Sequence, residues 1–98
     1  MDSSYEWDGD WSAIESKDEQ QGLEAELLRE LSSDHVLHGH RITALARRWR
    51  RDDVLFRLDD GRFAQVHLTW RYESRSNWPS TEIYPTFDAW KAVPPEDR

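Results

Sequence analysis

The sequence predicts an α+β domain in which an N-terminal helix packs on a three- or four-stranded antiparallel sheet and a short C-terminal helix follows. Three observations lead to this prediction. Leucines recur along residues 17–32 with the spacing of one helix face. Residues 52–70, DDVLFRLDDGRFAQVHLTW, alternate apolar and polar side chains on both sides of a turn, as hairpin strands do. Thr86 then stands as the cap of a short helix. This order indicates two layers, one helical and one of sheet.

The first helix is predicted over residues 17–32. Ser16 with Glu19 has the pattern of a capping box, and Ser12 with Glu15 has it too, so either serine could begin the helix. The apolar stripe that should cover the sheet consists of Leu23, Leu27, Leu28 and Leu31.

The hairpin has a register that its side-chain pattern decides. A two-residue loop would set Phe56 opposite Gln65, which mixes the apolar and polar sets. A three-residue loop, residues 59–61, sets Phe56 opposite Ala64 and suits Gly61 in the left-handed region. The predicted inner face is Val54, Phe56, Leu58, Ala64, Val66, Leu68 and Trp70. The predicted outer face is Asp53, Leu55, Arg57, Phe63, Gln65, His67 and Thr69.

Two further strands are predicted beside this hairpin. Residues 40–51, HRITALARRWRR, contain an alternating segment, and residues 81–84, TEIY, suit a short edge strand before Pro85. In the helix after Thr86, Phe87 and Trp90 should face the body of the domain.

The two ends of the chain are predicted to differ from the domain over residues 16–93. Residues 1–15 are rich in acids and serine, which predicts a disordered tail, although the aromatic side chains there leave docking on a partner or on the chain itself as the alternative. Residues 94–98 are predicted to be a loose tail. Residues 1–34 hold eleven acidic against two basic side chains, which indicates either a solvating tail or a contact with the more basic body.

Length and composition limit the class of protein. Ninety-eight residues make one domain, and the absence of cysteine excludes disulfides and thiolate chemistry. No secretory signal or membrane-spanning run is recognisable, so the expected compartment is the cytoplasm. The net charge of −7 argues against a nucleic-acid binder.

The pattern D-D-x-L-F-x-L-x-D-G-x-x-A-x-V-H-L-T-W, followed by W-P-x-T-E, resembles that of a group of small uncharacterised bacterial proteins. The resemblance covers residues 35–91. It implies a bacterial origin and a compact domain, and it supplies no activity.

Metal and enzyme chemistry have few candidate residues. His35, His38 and His40 lie within six residues, but an extended chain turns them to different sides and no cysteine completes a closed site. Asp53 opposite His67 could form an acid–base pair, yet no nucleophile or glycine-rich loop accompanies it. The sequence therefore predicts a non-enzymatic protein without a cofactor, and a histidine-dependent enzyme or metal-binding protein remains an alternative.

One basic patch suggests a second alternative, an accessory domain that binds nucleic acid. Arginines that flank a tryptophan can hold phosphate while the ring stacks on a base. The patch consists of Arg47, Arg48, Trp49, Arg50 and Arg51.

The preferred prediction is a module that binds another protein or a second copy of itself. Six tryptophans are too many for a domain of this size to bury completely, so aromatic surface should remain on the outer sheet face. Unless a helix or the N-terminal tail covers that face, its predicted contact residues are Trp49, Leu55, Arg57, Phe63, His67 and Tyr72.

Overall fold

The computed structural model describes residues 5–49, 51–70, 79–94 and 97–98. These residues form one five-stranded antiparallel sheet, with its strands in the order of the chain, and two helices. The elements are β1 (Trp11–Ala13), α1 (Lys17–Glu30), β2 (Ile42–Arg48), β3 (Asp53–Leu58), β4 (Phe63–His67), β5 (Ser80–Tyr84) and α2 (Phe87–Lys91). The predicted α+β class is confirmed, but the sheet has five strands instead of three or four.

Helix α1 begins after Ser16, one of the two caps that the sequence leaves open. The Ser16 hydroxyl accepts a hydrogen bond from the backbone N–H of Glu19 at 3.2 Å, which satisfies one of the free amides of the first turn. The Glu19 carboxylate does not close the capping box, because it accepts a hydrogen bond from Arg47. Leu27 is fully buried, whereas Leu28 is 56% exposed. The buried stripe of α1 is therefore one leucine narrower than the predicted stripe.

The β3–β4 hairpin has the predicted three-residue loop and register. Phe56 pairs with Ala64, and Asp53 pairs with His67. Gly61 has φ of +91°, a left-handed conformation that glycine adopts without steric cost. The side-chain pattern and the turn chemistry therefore select the same pairing.

Strand β2 contains a bulge that sends its side chains into two cores. Ala44 pairs with Phe56 and Ala46 with Leu55, so Leu45 is an extra residue on β2. Ala44 consequently packs on the α1 side of the sheet, while Ala46 packs on the opposite side.

Helix α1 also covers the part of the β2 edge that β1 does not reach. The Glu24 carboxylate accepts the backbone N–H of Ala44 at 2.9 Å, and the Gln20 amide donates to its carbonyl at 2.9 Å. Two side chains one helical turn apart thus take the place of a neighbouring strand.

The sheet is covered on both faces. Leucines of α1 pack on one face, and an aromatic core fills the other. This aromatic core consists of Trp11, Ala46, Leu55, Phe63 and Trp90, with Tyr5, Trp7, Leu45, Tyr84 and Phe87 packed against it. The described chain therefore has three layers, and the prediction of two layers is wrong.

The prediction of a disordered tail over residues 1–15 is wrong for residues 5–15, which pack on the sheet. Trp11–Ala13 forms edge strand β1, with Trp11 opposite Arg48. The Trp90 ring has two aromatic neighbours from this segment: the Trp11 ring, with its centroid at 5.0 Å, and the Trp7 ring, with its centroid at 5.7 Å. Acidic composition favoured disorder, but burial of the aromatic rings outweighs it.

The prediction of a loose tail over residues 94–98 is wrong for Arg98, which is held by several contacts. Its guanidinium lies 4.4 Å from the Trp90 ring, donates to the carbonyls of Val93 and Lys91, and pairs with Asp8 at 2.8 Å.

Helix α2 has the predicted Thr86 cap and buries Trp90 completely. Among the described residues, neither helix has the length and apolar character needed to cross a bilayer.

Candidate functional site

One end of the sheet combines exposed aromatic rings with charged side chains, and we call it the tryptophan end. It consists of Trp49 after β2, Asp53 at the start of β3, His67 at the end of β4 and Trp70 beyond it. Trp49 is 64% exposed and Trp70 is 47% exposed. Because strands lie about 4.8 Å apart, the ends of β2 and β4 are about 10 Å apart.

The backbone of Trp70 is held by a buried carboxylate of α1. Glu30 is fully buried and accepts hydrogen bonds from the Thr69 N–H at 2.8 Å, the Thr69 hydroxyl at 3.0 Å and the Trp70 N–H at 2.6 Å. Trp70 has φ of +63°, a left-handed conformation that is strained for a residue with a bulky side chain. These bonds hold the strained residue in place, with its ring turned outward.

Glu30 belongs to a pair of carboxyl groups. Burial raises the pKa of Glu30, and its hydrogen bond to Glu26 raises it further. For Glu26, burial alone would raise the pKa, but hydrogen bonds from Glu30 and Arg29 outweigh it and lower the pKa. Of the two carboxyl groups, Glu30 is therefore the one that holds a proton to higher pH, and the Glu26 carboxylate lies 2.6 Å from the Arg29 guanidinium.

Asp53 and His67 form the acid–imidazole pair that the sequence predicts. Asp53 Oδ1 lies 2.6 Å from His67 Nδ1, with Asp53 mostly buried and His67 half exposed. Ser80 is the cross-strand neighbour of His67 on β5. Within the described ranges, no hydrogen bond joins Ser80 to the imidazole.

The predicted protein-contact face is only partly at the surface. Leu55 is fully buried and Phe63 is 5% exposed, because residues 5–13 and α2 cover them. These two predicted contact residues belong to the aromatic core. Trp49, Arg57 and His67 are exposed, and Tyr72 lies outside the described residues. The open alternative, in which the N-terminal segment and last helix cover this face, is the arrangement found.

The predicted basic patch is divided between two sides of the sheet. Arg47 pairs with Glu19 at 2.8 Å on the α1 side, whereas the largely buried Arg48 faces Asp53 at 3.9 Å. Arg51 is exposed, and Arg50 lies outside the described residues. The four described residues of the patch, Arg47, Arg48, Trp49 and Arg51, nevertheless line one cavity of about 340 Å³, and the nucleic-acid function stays a prediction.

The three predicted metal-binding histidines do not converge. His35 is buried, its Nδ1 accepts the Leu37 N–H, and its Nε2 donates to the Pro79 carbonyl at 2.9 Å. Both of its ring nitrogens are therefore occupied. His38 is exposed, and His40 points to the hairpin turn.

His40 meets Asp59 and Asp60 at that turn, with ligand atoms within 4.8 Å of one another. Hydrogen bonds from His40 and from the Arg41 backbone lower the pKa of Asp59, and those from Arg62 lower the pKa of Asp60. These carboxylates already hold the turn together, so we assign the cluster a role in the fold.

Comparisons with protein-family models, with curated proteins and with solved structures find no match to this chain. Any function must therefore be argued from the geometry. The sequence patterns place Trp70 on the inner sheet face and Glu30 on the side of α1 away from the leucines, so neither is predicted to contact the other. The positive φ of Trp70 ends the alternation, and no local signal links Glu30 to a loop 40 residues away.

Proposed function

We propose that this chain is a small protein-interaction module whose contact surface is the tryptophan end of the sheet. Tryptophan is enriched among residues that dominate the energy of protein interfaces. The Asp53–His67 pair, at the start of β3 and the end of β4, adds polar groups that can give specificity. The surface retains Trp49 and His67 from the predicted contact residues and adds Trp70.

The conformation of Trp70 is the observation that carries this proposal. A left-handed conformation costs about 1–2 kcal/mol for an ordinary residue. Here it is held by Glu30 through the backbone, while the ring that it orients remains half exposed. The exposed part of the Trp70 side chain gives a binding surface an anchor whose conformation is already ordered.

The first partner to test is a second copy of the chain. Sedimentation velocity over a range of concentrations should reveal self-association that the double variant Trp49→Ala, Trp70→Ala loses. Leu28→Ala is the matched control, because Leu28 is equally exposed but lies on α1.

If the wild-type protein is monomeric, the same variants are compared by affinity capture and mass spectrometry. A captured protein that the Leu28→Ala variant keeps and the double variant loses would support the proposal. Identical sedimentation and identical captured proteins for all three chains would refute it.

A further inference from the structure

A polar cleft of about 620 Å³ lies on the sheet face that carries the aromatic core. Side chains from four consecutive strands form its floor: Arg48, Asp53, Gln65 and Glu82. Asp97 and Arg98 line it from the C-terminal segment. Its volume is in the range of sites for small organic ligands.

Arg48 is the residue of this cleft that lacks adequate partners. Its side chain is 12% exposed, its Nε is buried without a hydrogen bond, and its nearest carboxylate is Asp53 at 3.9 Å. Arg98 in the same cleft differs, because its guanidinium bonds to Asp8 and to two carbonyls. A buried guanidinium without such partners is costly, and a bound anion would remove that cost.

Asp53 is not available to complete the bonding of Arg48. Its Oδ1 bonds to His67 at 2.6 Å, and its Oδ2 lies 3.5 Å from the Gln65 amide nitrogen. The Gln65 oxygen is in turn held by the Trp90 indole N–H at 2.9 Å. Asp53 cannot turn toward Arg48 without giving up this network.

The charges of the cleft are not all of one sign. Arg48 and Arg51 lie at the β2 end, whereas Glu82 lies on β5, and Asp97 adds a second carboxylate to the lining. The backbones of β2 and β5 are about 14 Å apart, at three times the usual strand spacing. A compact polyanion such as phosphate would meet repulsion from Glu82 and Asp97. A planar carboxylate suits the guanidinium fork, and a positive charge suits the opposite side.

We infer that this cleft binds a small molecule with a carboxylate at one end and a cationic group at the other. Arg48 holds the carboxylate through the two terminal nitrogens of its guanidinium, Nη1 and Nη2. Glu82 receives the cation. The inference does not depend on the proposed protein interaction: the cleft shares Asp53 with the tryptophan end, but the residues that hold the ligand, Arg48 and Glu82, are not part of that end.

The experiment titrates 6-aminohexanoate, succinate and inorganic phosphate into the full chain and follows the arginine Nε–H signals by NMR. We expect 6-aminohexanoate to shift the Arg48 Nε–H signal in a saturable way and to bind more tightly than the other two probes. Arg48→Gln and Glu82→Gln should each weaken binding about tenfold or more. Arg47→Gln, the neighbour on the opposite face, should leave it unchanged.

Absence of a saturable shift with any probe would overturn the inference. Equal losses in Arg47→Gln and Arg48→Gln would do so as well, and tighter binding of succinate or phosphate would contradict the cationic end. Circular dichroism checks that each variant is folded. If Arg48→Gln is not, Arg48→Lys keeps the charge but loses the fork, and should also bind more weakly.

Discussion

At the scale of single residues, Glu30 and Trp70 show how one buried side chain fixes a distant part of the backbone. A carboxyl group on the last turn of α1 fixes the backbone that follows β4, through three hydrogen bonds over 39 or 40 residues of sequence. Neither residue could be assigned this role from the sequence. Periodicity assigns Glu30 to the solvent side of α1 together with Glu24 and Glu26, and a left-handed tryptophan has no compositional signature.

The buried Glu30 carboxyl should make stability depend on pH. Its pKa is raised above the ordinary 4.5, so the folded chain binds more protons than the unfolded chain once the pH exceeds that value. The stability it contributes is complete below pH 4.5 and is lost as the pH rises through the folded pKa. The stability advantage of wild type over Glu30→Gln should therefore shrink as the pH rises above 4.5.

Urea unfolding followed by tryptophan fluorescence measures this difference at each pH. Glu15→Gln, an exposed position before α1, is the control and should show no such trend. An advantage that grows with pH would mean that Glu30 is ionised in the folded chain.

At the scale of elements, local patterns predicted the hairpin but not the first strand. Alternation over residues 54–68 and the glycine at position 61 both specify a three-residue loop. Strand β1 spans three residues within an acidic segment, too short for alternation to be recognised. The bulge at Leu45 was also missed, because β2 reads as an uninterrupted strand and its extra residue is defined only by the partner.

The hairpin turn gives a test at this scale. Gly61→Ala should lower the free energy of unfolding by about 1–2 kcal/mol, because a Cβ strains the left-handed conformation. Gly22→Ala is the matched control: Gly22 is within α1, a Cβ there meets nothing within 4 Å, and alanine should add about 0.5–1 kcal/mol. Equal effects of the two substitutions in urea unfolding would contradict the assigned turn.

At the scale of the whole molecule, the excess of aromatic residues is largely resolved within the chain. Composition predicted uncovered aromatic surface on the outer sheet face, because a single core in a domain of this size cannot bury six tryptophans completely. The structure has two cores, and residues 5–13 supply much of the second. The acidic front also meets basic groups of the body, through Asp8 with Arg98 and Glu19 with Arg47.

The N-terminal segment should therefore contribute to stability. Trp7→Ala removes ring contacts with Phe87 and Trp90 and should cost about 2 kcal/mol, less than a fully buried tryptophan because Trp7 is half-buried. Val36→Ala, at an exposed apolar position, should change stability by less than about 0.5 kcal/mol. Equal urea midpoints for Trp7→Ala and wild type would show that this segment does not support the fold in solution.

The pairing of Gln20 and Glu24 with Ala44 has a consequence for misassembly. Backbone groups along an open strand are a template on which strands of other molecules can stack. Here two flexible side chains occupy that template, and they stay in register only while their helix is wound. Unwinding of the helix would expose this strand edge, on which fibrils could grow. Helix α1 therefore protects the chain against aggregation as well as covering its core.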